Sequence, residues 1–89
     1  MTDIATRLRR LHYRAHHRGT READHIVGGF FDTHHAAWGE TEIAWFEALV
    51  EEQDVDIIAW AMGFTEAPTR WHGPMLVAMR RLDYVDVIP

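Results

Sequence analysis

Apolar residues recur at intervals of three and four along this 89-residue chain, and no stretch shows the two-residue alternation of a half-buried strand. That periodicity restricts the chain to helices. Ile4, Leu8, Leu11 and Ala15 form one stripe on an arginine-rich first helix, capped by Thr2 or Asp3 and ending near His17 or Arg18. A second helix is expected from about Thr20 to Asp32, burying Ala23, Ile26, Val27, Phe30 and Phe31, with Gly28-Gly29 weakening its end. A third runs from about Glu40 to Gln53 with Ile43, Phe46, Leu49 and Val50 inward. The fourth starts at Asp54 as N-cap, buries Ile57, Ile58, Trp60 and Ala61, and stops at Gly63. Gly73-Pro74 opens a last helix through Met75, Leu76, Met79 and Leu82, since proline is well placed at a first helical position. Residues 83–89 form a tail too short to assign. The expectation is an all-α fold, a compact single-domain bundle of about five short helices over residues 1–89. Core packing accounts for Trp38, Trp45, Trp60, Phe30, Phe31, Phe46 and Phe64, whereas Trp71, between Arg70 and His72, falls outside a clear stripe.

A chain this short buries only about 60 to 65% of its unfolded surface, so its stability margin is modest. It has no cysteine, which excludes a disulfide framework and thiolate metal sites, and no serine, which removes the commonest nucleophile. No apolar run reaches the roughly 20 residues of a membrane span, and Met1-Thr2-Asp3 does not open a secretory signal. A soluble, cytoplasmic protein is expected, as a monomer.

The helical pattern breaks most sharply at Arg18-Gly19-Thr20-Arg21-Glu22. Glycine costs a helix interior about 1 kcal/mol relative to alanine, so an arginine-flanked glycine followed by an acid marks a helix boundary or a contact surface. The break also divides the charge. Residues 1–21 hold six arginines against the single acid Asp3, and residues 22–67 hold eleven acids with no lysine or arginine, within a net charge of −5. Such a dipolar chain can steer its basic end toward an acidic surface or a polyanion, or its two ends can neutralise each other in the fold.

Three chemistries compete for the polar residues. His12 and His16 stand at i, i+4, the spacing with which two imidazoles share a cation, and His17 and His34-His35 are further candidates. No carboxylate stands at ligand spacing along the sequence, so no metal site is expected. Paired acids such as Glu51-Glu52 suit a solvated helix face, and no catalytic residue is assigned. Arg7, Arg10, Arg14, Arg18 and Arg21 could track phosphates, which makes a small nucleic-acid-binding protein the alternative reading; the sequence pI of about 5.7 and the lack of lysine weigh against it.

The run from Tyr13 to Asp24, YRAHHRGTREAD, followed by Gly29-Phe30-Phe31, resembles the signature of the succinate dehydrogenase flavin assembly factors. Phe46-Glu47-Ala48-Leu49-Val50-Glu51 and Asp54-Val55-Asp56-Ile57-Ile58-Ala59-Trp60 are similar to the acidic third helix and the fourth helix of that family, so the likeness covers about residues 7–63 in order. The C-terminal segment matches only in being a short helix. His17, Thr20 and Val55 depart from the arginine, methionine and proline common at those places.

The resemblance implies a five-helix helper, not an enzyme, that binds the flavoprotein subunit of succinate dehydrogenase, or of fumarate reductase, and promotes its covalent flavinylation. FAD is then attached to the client, with no cofactor held firmly by this chain. It also implies that Arg18, Gly19 and Glu22 belong to the partner-binding surface, with Arg14, His17, Arg21 and Asp24 as neighbours. On physical grounds Gly19 lets a partner loop approach bare backbone, Arg18 offers a planar fork to a carboxylate, and Glu22 can receive a partner cation.

Overall fold

The computed structural model describes residues 3–85 and, among them, five α-helices and no strand. Helix α1 spans Ile4–His16, α2 Arg21–His34, α3 Glu40–Leu49, α4 Asp54–Met62 and α5 Pro74–Arg80, with single 3-10 turns at His35–Ala37 and Thr69–Trp71. Local chemistry explains the boundaries. The Asp3 carboxylate accepts the Thr6 backbone N–H at 2.7 Å, the Thr20 hydroxyl accepts that of Ala23 at 3.2 Å, and Glu42 reaches back to the Gly39 N–H at 2.7 Å.

Several expected boundaries move. Helix α3 stops at Leu49, and Gln53, not Asp54, is the N-cap of α4, because the Asp54 side chain is engaged elsewhere. Helix α2 runs through Gly28-Gly29 and two residues past the expected Asp32 to His34; Gly28 serves a close contact with α1, and Gly29 faces Tyr84. A Cβ on Gly28 would lie 2.6 Å from the His16 imidazole, so the bare backbone there lets α1 and α2 meet. The fifth helix ends at Arg80.

The core lies where α2 meets α1, α3 and α4. Phe30, Phe31, Phe46 and Trp38 interlock, with Trp38 5.0 Å from Phe46 and 5.7 Å from Phe31 between ring centroids. Each buried aromatic ring contributes about 1.5–3 kcal/mol through removal from water. A second aromatic group joins Trp45, Trp60 and Trp71 at centroid distances of 5.7 and 6.0 Å. Trp71, which the sequence pattern left outside the core, is only 4% exposed, because its 3-10 turn folds it back onto α3 and α4.

Two expected core residues face outward. Ile4 is 44% exposed at the first turn of α1, and Phe64 is 76% exposed. Phe64 follows the left-handed cap Gly63, and its backbone N–H turns back to the Ala59 carbonyl at 2.9 Å. In such a cap the residue after the glycine reverses the chain direction, which here leaves the ring outside. Within the expected tail, Tyr84 packs against Phe30 at 5.4 Å and donates its hydroxyl to the Met79 carbonyl at 2.7 Å. Residues 86–89 of that tail lie outside the described residues.

The charge asymmetry is partly resolved inside the molecule, with three of the six N-terminal arginines ion-paired. Arg7 binds Glu40 at 2.6 Å and Glu47 at 2.7 Å, Arg14 pairs with Glu51, Arg18 with Asp54 at 2.7 Å and Arg70 with Glu52 at 3.3 Å. Hydrogen bonds from Arg7 hold the Glu40 and Glu47 carboxyl groups below the usual carboxylate range, and Arg14 does the same to Glu51. On α1, Arg7 and Arg14 thus find their counter-charges on α3 and the segment after it.

Candidate protein-binding site

The turn between α1 and α2 is built from below. After His16 the chain leaves the helix at His17, whose ring stacks on Tyr13 at 4.0 Å and whose Nδ1 lies 2.7 Å from the Tyr13 carbonyl oxygen. The Arg18 backbone N–H donates to Asp24 Oδ1 at 2.7 Å. Gly19 then adopts φ +106°, and Thr20 caps α2. Asp24 therefore ties the turn to the helix that follows it.

The Arg18 side chain runs in the other direction. Its Nε donates to Asp54 Oδ1 at 2.7 Å, Nη1 to the Val50 carbonyl at 2.9 Å and Nη2 to the Glu52 carbonyl at 3.1 Å. These carbonyls belong to the chain leaving α3, where helical partners run out and a cation is favoured. With 9% of its side chain exposed, Arg18 braces the turn against the α3–α4 connection. The fork expected to meet a partner is committed within the fold, which corrects that reading of Arg18. Arg14 is likewise paired, with Glu51.

What the brace leaves outside is Gly19, Thr20, Arg21 and Glu22, all exposed. A Cβ on Gly19 would meet nothing within 4 Å, so its own fold imposes no steric limit there; the positive φ does. Among the described residues neither Arg21 nor Glu22 makes an ion pair. A cleft of about 550 Å³ lies beside them, lined by His16, His17, Gly19, Thr20, Arg21, Asp24 and His25. The structure thus gathers His17, Gly19, Arg21 and Asp24 around one concavity with Glu22 on the same turn, and turns Arg14 and Arg18 toward α3.

His16, Thr20 and His25 belong to this surface but were not assigned to it from sequence. For His25 a signal existed: it lies four residues after Arg21 and three after Glu22, the spacings that share a helix face. The phosphate-tracking alternative loses its line of cations, because Arg7, Arg14 and Arg18 already have carboxylate partners. No helix among the described residues is long and apolar enough to cross a membrane.

These features define a small all-helical protein whose distinguishing surface is a braced polar turn. Over residues 9–83 the chain matches the family described as Flavinator of succinate dehydrogenase, and it belongs to that family. The match takes in the C-terminal helix, where the motif likeness was weakest.

Among curated relatives, the FAD assembly factor of Acetobacter pasteurianus is 35% identical over 77 residues, covering 86% of this chain and 71% of the relative. The mitochondrial succinate dehydrogenase assembly factor 2 of Cryptococcus neoformans is 32% identical over 80 residues, covering 89% of this chain and 46% of the relative. The corresponding protein of Schizosaccharomyces japonicus is 32% identical over 62 residues, 70% of this chain and 43% of the relative. The chain therefore spans less than half the length of the two fungal relatives.

Proposed function

We propose that this chain is an assembly factor that binds the flavoprotein subunit of succinate dehydrogenase, and of fumarate reductase where present, and promotes covalent attachment of FAD to it. The observation that carries the reading is the family match, whose span over residues 9–83 includes the α1–α2 turn. The relative named as an FAD assembly factor supports it.

In this reading the chain performs no bond-making chemistry. It holds the immature subunit in a conformation in which the client's own residues take the flavin, and FAD remains with the client. Gly19, Arg21 and Glu22 form the contact, with His17 and the outer edge of Asp24 beside them. Arg18 acts as a positioning residue, keeping the turn at a fixed height above α3 and α4, and Arg14 supports the same packing. The chain works as a monomer in the cytoplasm, a reducing compartment that suits a sequence without cysteine.

The test is co-expression of the flavoprotein subunit with wild-type, Gly19→Arg or Glu22→Ala protein, with covalent flavin read as fluorescence in a denaturing gel. Wild type should raise the signal above that of the subunit alone, and both variants should lower it. Variants that support flavinylation as well as wild type would remove the turn from the account.

A further inference from the structure

Helix packing assembles a group that the sequence keeps apart. His12 and His16 lie one turn apart on α1, and Asp32 approaches them from the late part of α2, so that one donor atom from each lies within 4.8 Å of the others. Along the sequence Asp32 is 16 residues beyond His16, which is why no carboxylate was expected at ligand spacing. In space, His16 Nε2 and Asp32 Oδ1 are 2.9 Å apart.

We infer that His12, His16 and Asp32 form a binding site for a divalent transition-metal cation of the zinc or nickel type. Two imidazoles and one carboxylate suit borderline cations, whereas magnesium and calcium prefer all-oxygen shells. Bonds of about 2.0–2.2 Å in tetrahedral geometry need donors about 3.3 Å apart. The His16–Asp32 pair is already close to that separation, and the cation replaces the hydrogen bond between them. His12 closes the remaining gap by side-chain rotation.

The first two ligands are held by their surroundings. The His16 ring lies over the bare backbone of Gly28, and the His12 ring stands 4.6 Å from that of His16 and 5.9 Å, edge to face, from Phe31. This packing limits the rotation of both rings. Asp32 is exposed with 53% of its side chain accessible, and His16 and Asp32 both line a cleft of about 340 Å³ through which an ion can enter. Three protein ligands leave a coordination position open to water. Because the ligands come from two helices, the cation pins α1 to α2. The site borders the proposed client surface through His16, which lines both clefts, but its other two ligands, His12 and Asp32, lie outside the cleft beside Gly19, so metal binding is testable without the client.

The test is titration of zinc, nickel and magnesium into tag-free protein, read by calorimetry and by the thermal unfolding midpoint. Zinc or nickel should bind one ion per chain and raise the midpoint, and magnesium should do neither. His12→Gln and Asp32→Asn, both at exposed positions, should each weaken binding by about tenfold or more with the helical circular dichroism unchanged. Gly28→Ala, which alters no ligand but pushes the His16 ring aside, should weaken it likewise. Failure to bind one zinc or nickel ion overturns the assignment. So does equal affinity in wild type, His12→Gln and Asp32→Asn, which would put the ion on other histidines.

Discussion

The guanidinium Nε of Arg18 lies 2.7 Å from Asp54 Oδ1, joining the turn after α1 to the first residue of α4 across 36 positions of sequence. The same side chain also binds the Val50 and Glu52 carbonyls, so one residue closes the α3–α4 connection and fixes the height of the turn. Arg18→Ala should destabilise the fold by about 2–3 kcal/mol, because it leaves a carboxylate and two carbonyls short of a donor. Arg18→Lys should recover only a small part, since an ammonium cannot reproduce the fork. Urea unfolding followed by circular dichroism measures both.

Gly19 makes the opposite demand. Its surroundings are open, and only φ +106° restricts it. Gly19→Ala should therefore cost about 1–2 kcal/mol through backbone strain alone. The same unfolding experiment should return a lower midpoint with an unchanged denaturant slope.

The two aromatic positions that the sequence pattern treated alike should separate on mutation. Phe46 is fully buried among Phe30, Phe31 and Trp38, and Phe46→Ala should cost about 3–5 kcal/mol. Phe64 is mostly exposed, and Phe64→Ala should change stability by no more than about 0.5 kcal/mol. Thermal melts of the two variants side by side test the placement of the loop after α4.

Acid should weaken the fold through the arginine pairs. Glu40, Glu47 and Glu51 each have a carboxyl pKa lower in the folded chain than the ordinary 4.5, because an arginine hydrogen-bonds the charged form. The folded state then binds fewer protons than the unfolded state. The stabilisation is complete above about pH 4.5 and is lost progressively as pH falls through the lower folded values. Stability against pH should be flat from neutrality to about pH 5 as far as these groups are concerned, and should then decline. In Arg7→Ala, which removes the partner of Glu40 and Glu47, the decline should be shallower.

Legibility followed the range of the interactions. Helix number and order could be read from spacing, because an apolar stripe and its caps are local. The resemblance carried by residues 13–24 and by the third and fourth helices pointed to the family that the match over residues 9–83 establishes. What local reading could not supply was any contact across the chain. Arg18 looked available because Asp54 and two carbonyls 32 to 36 residues away do not show in its neighbourhood. Gly28 looked like a weakening of the helix because its partner, His16, sits on another helix. Trp71 and Phe64 exchanged places relative to expectation because the loop between α4 and α5, not a helical stripe, decides which ring turns inward.

Within one turn the labour is divided, with Arg18 bracing it from inside and Glu22 exposed on its outer side. The most direct measurement is the affinity of wild-type and Glu22→Ala protein for the purified, unflavinylated flavoprotein subunit, by calorimetry, with unfolding of each protein measured in parallel. Glu22 is exposed and makes no ion pair among the described residues, so Glu22→Ala should keep its stability within about 0.5 kcal/mol while binding weakens about tenfold or more. Unchanged affinity in a stable Glu22→Ala protein would contradict the claim that this turn is the contact surface.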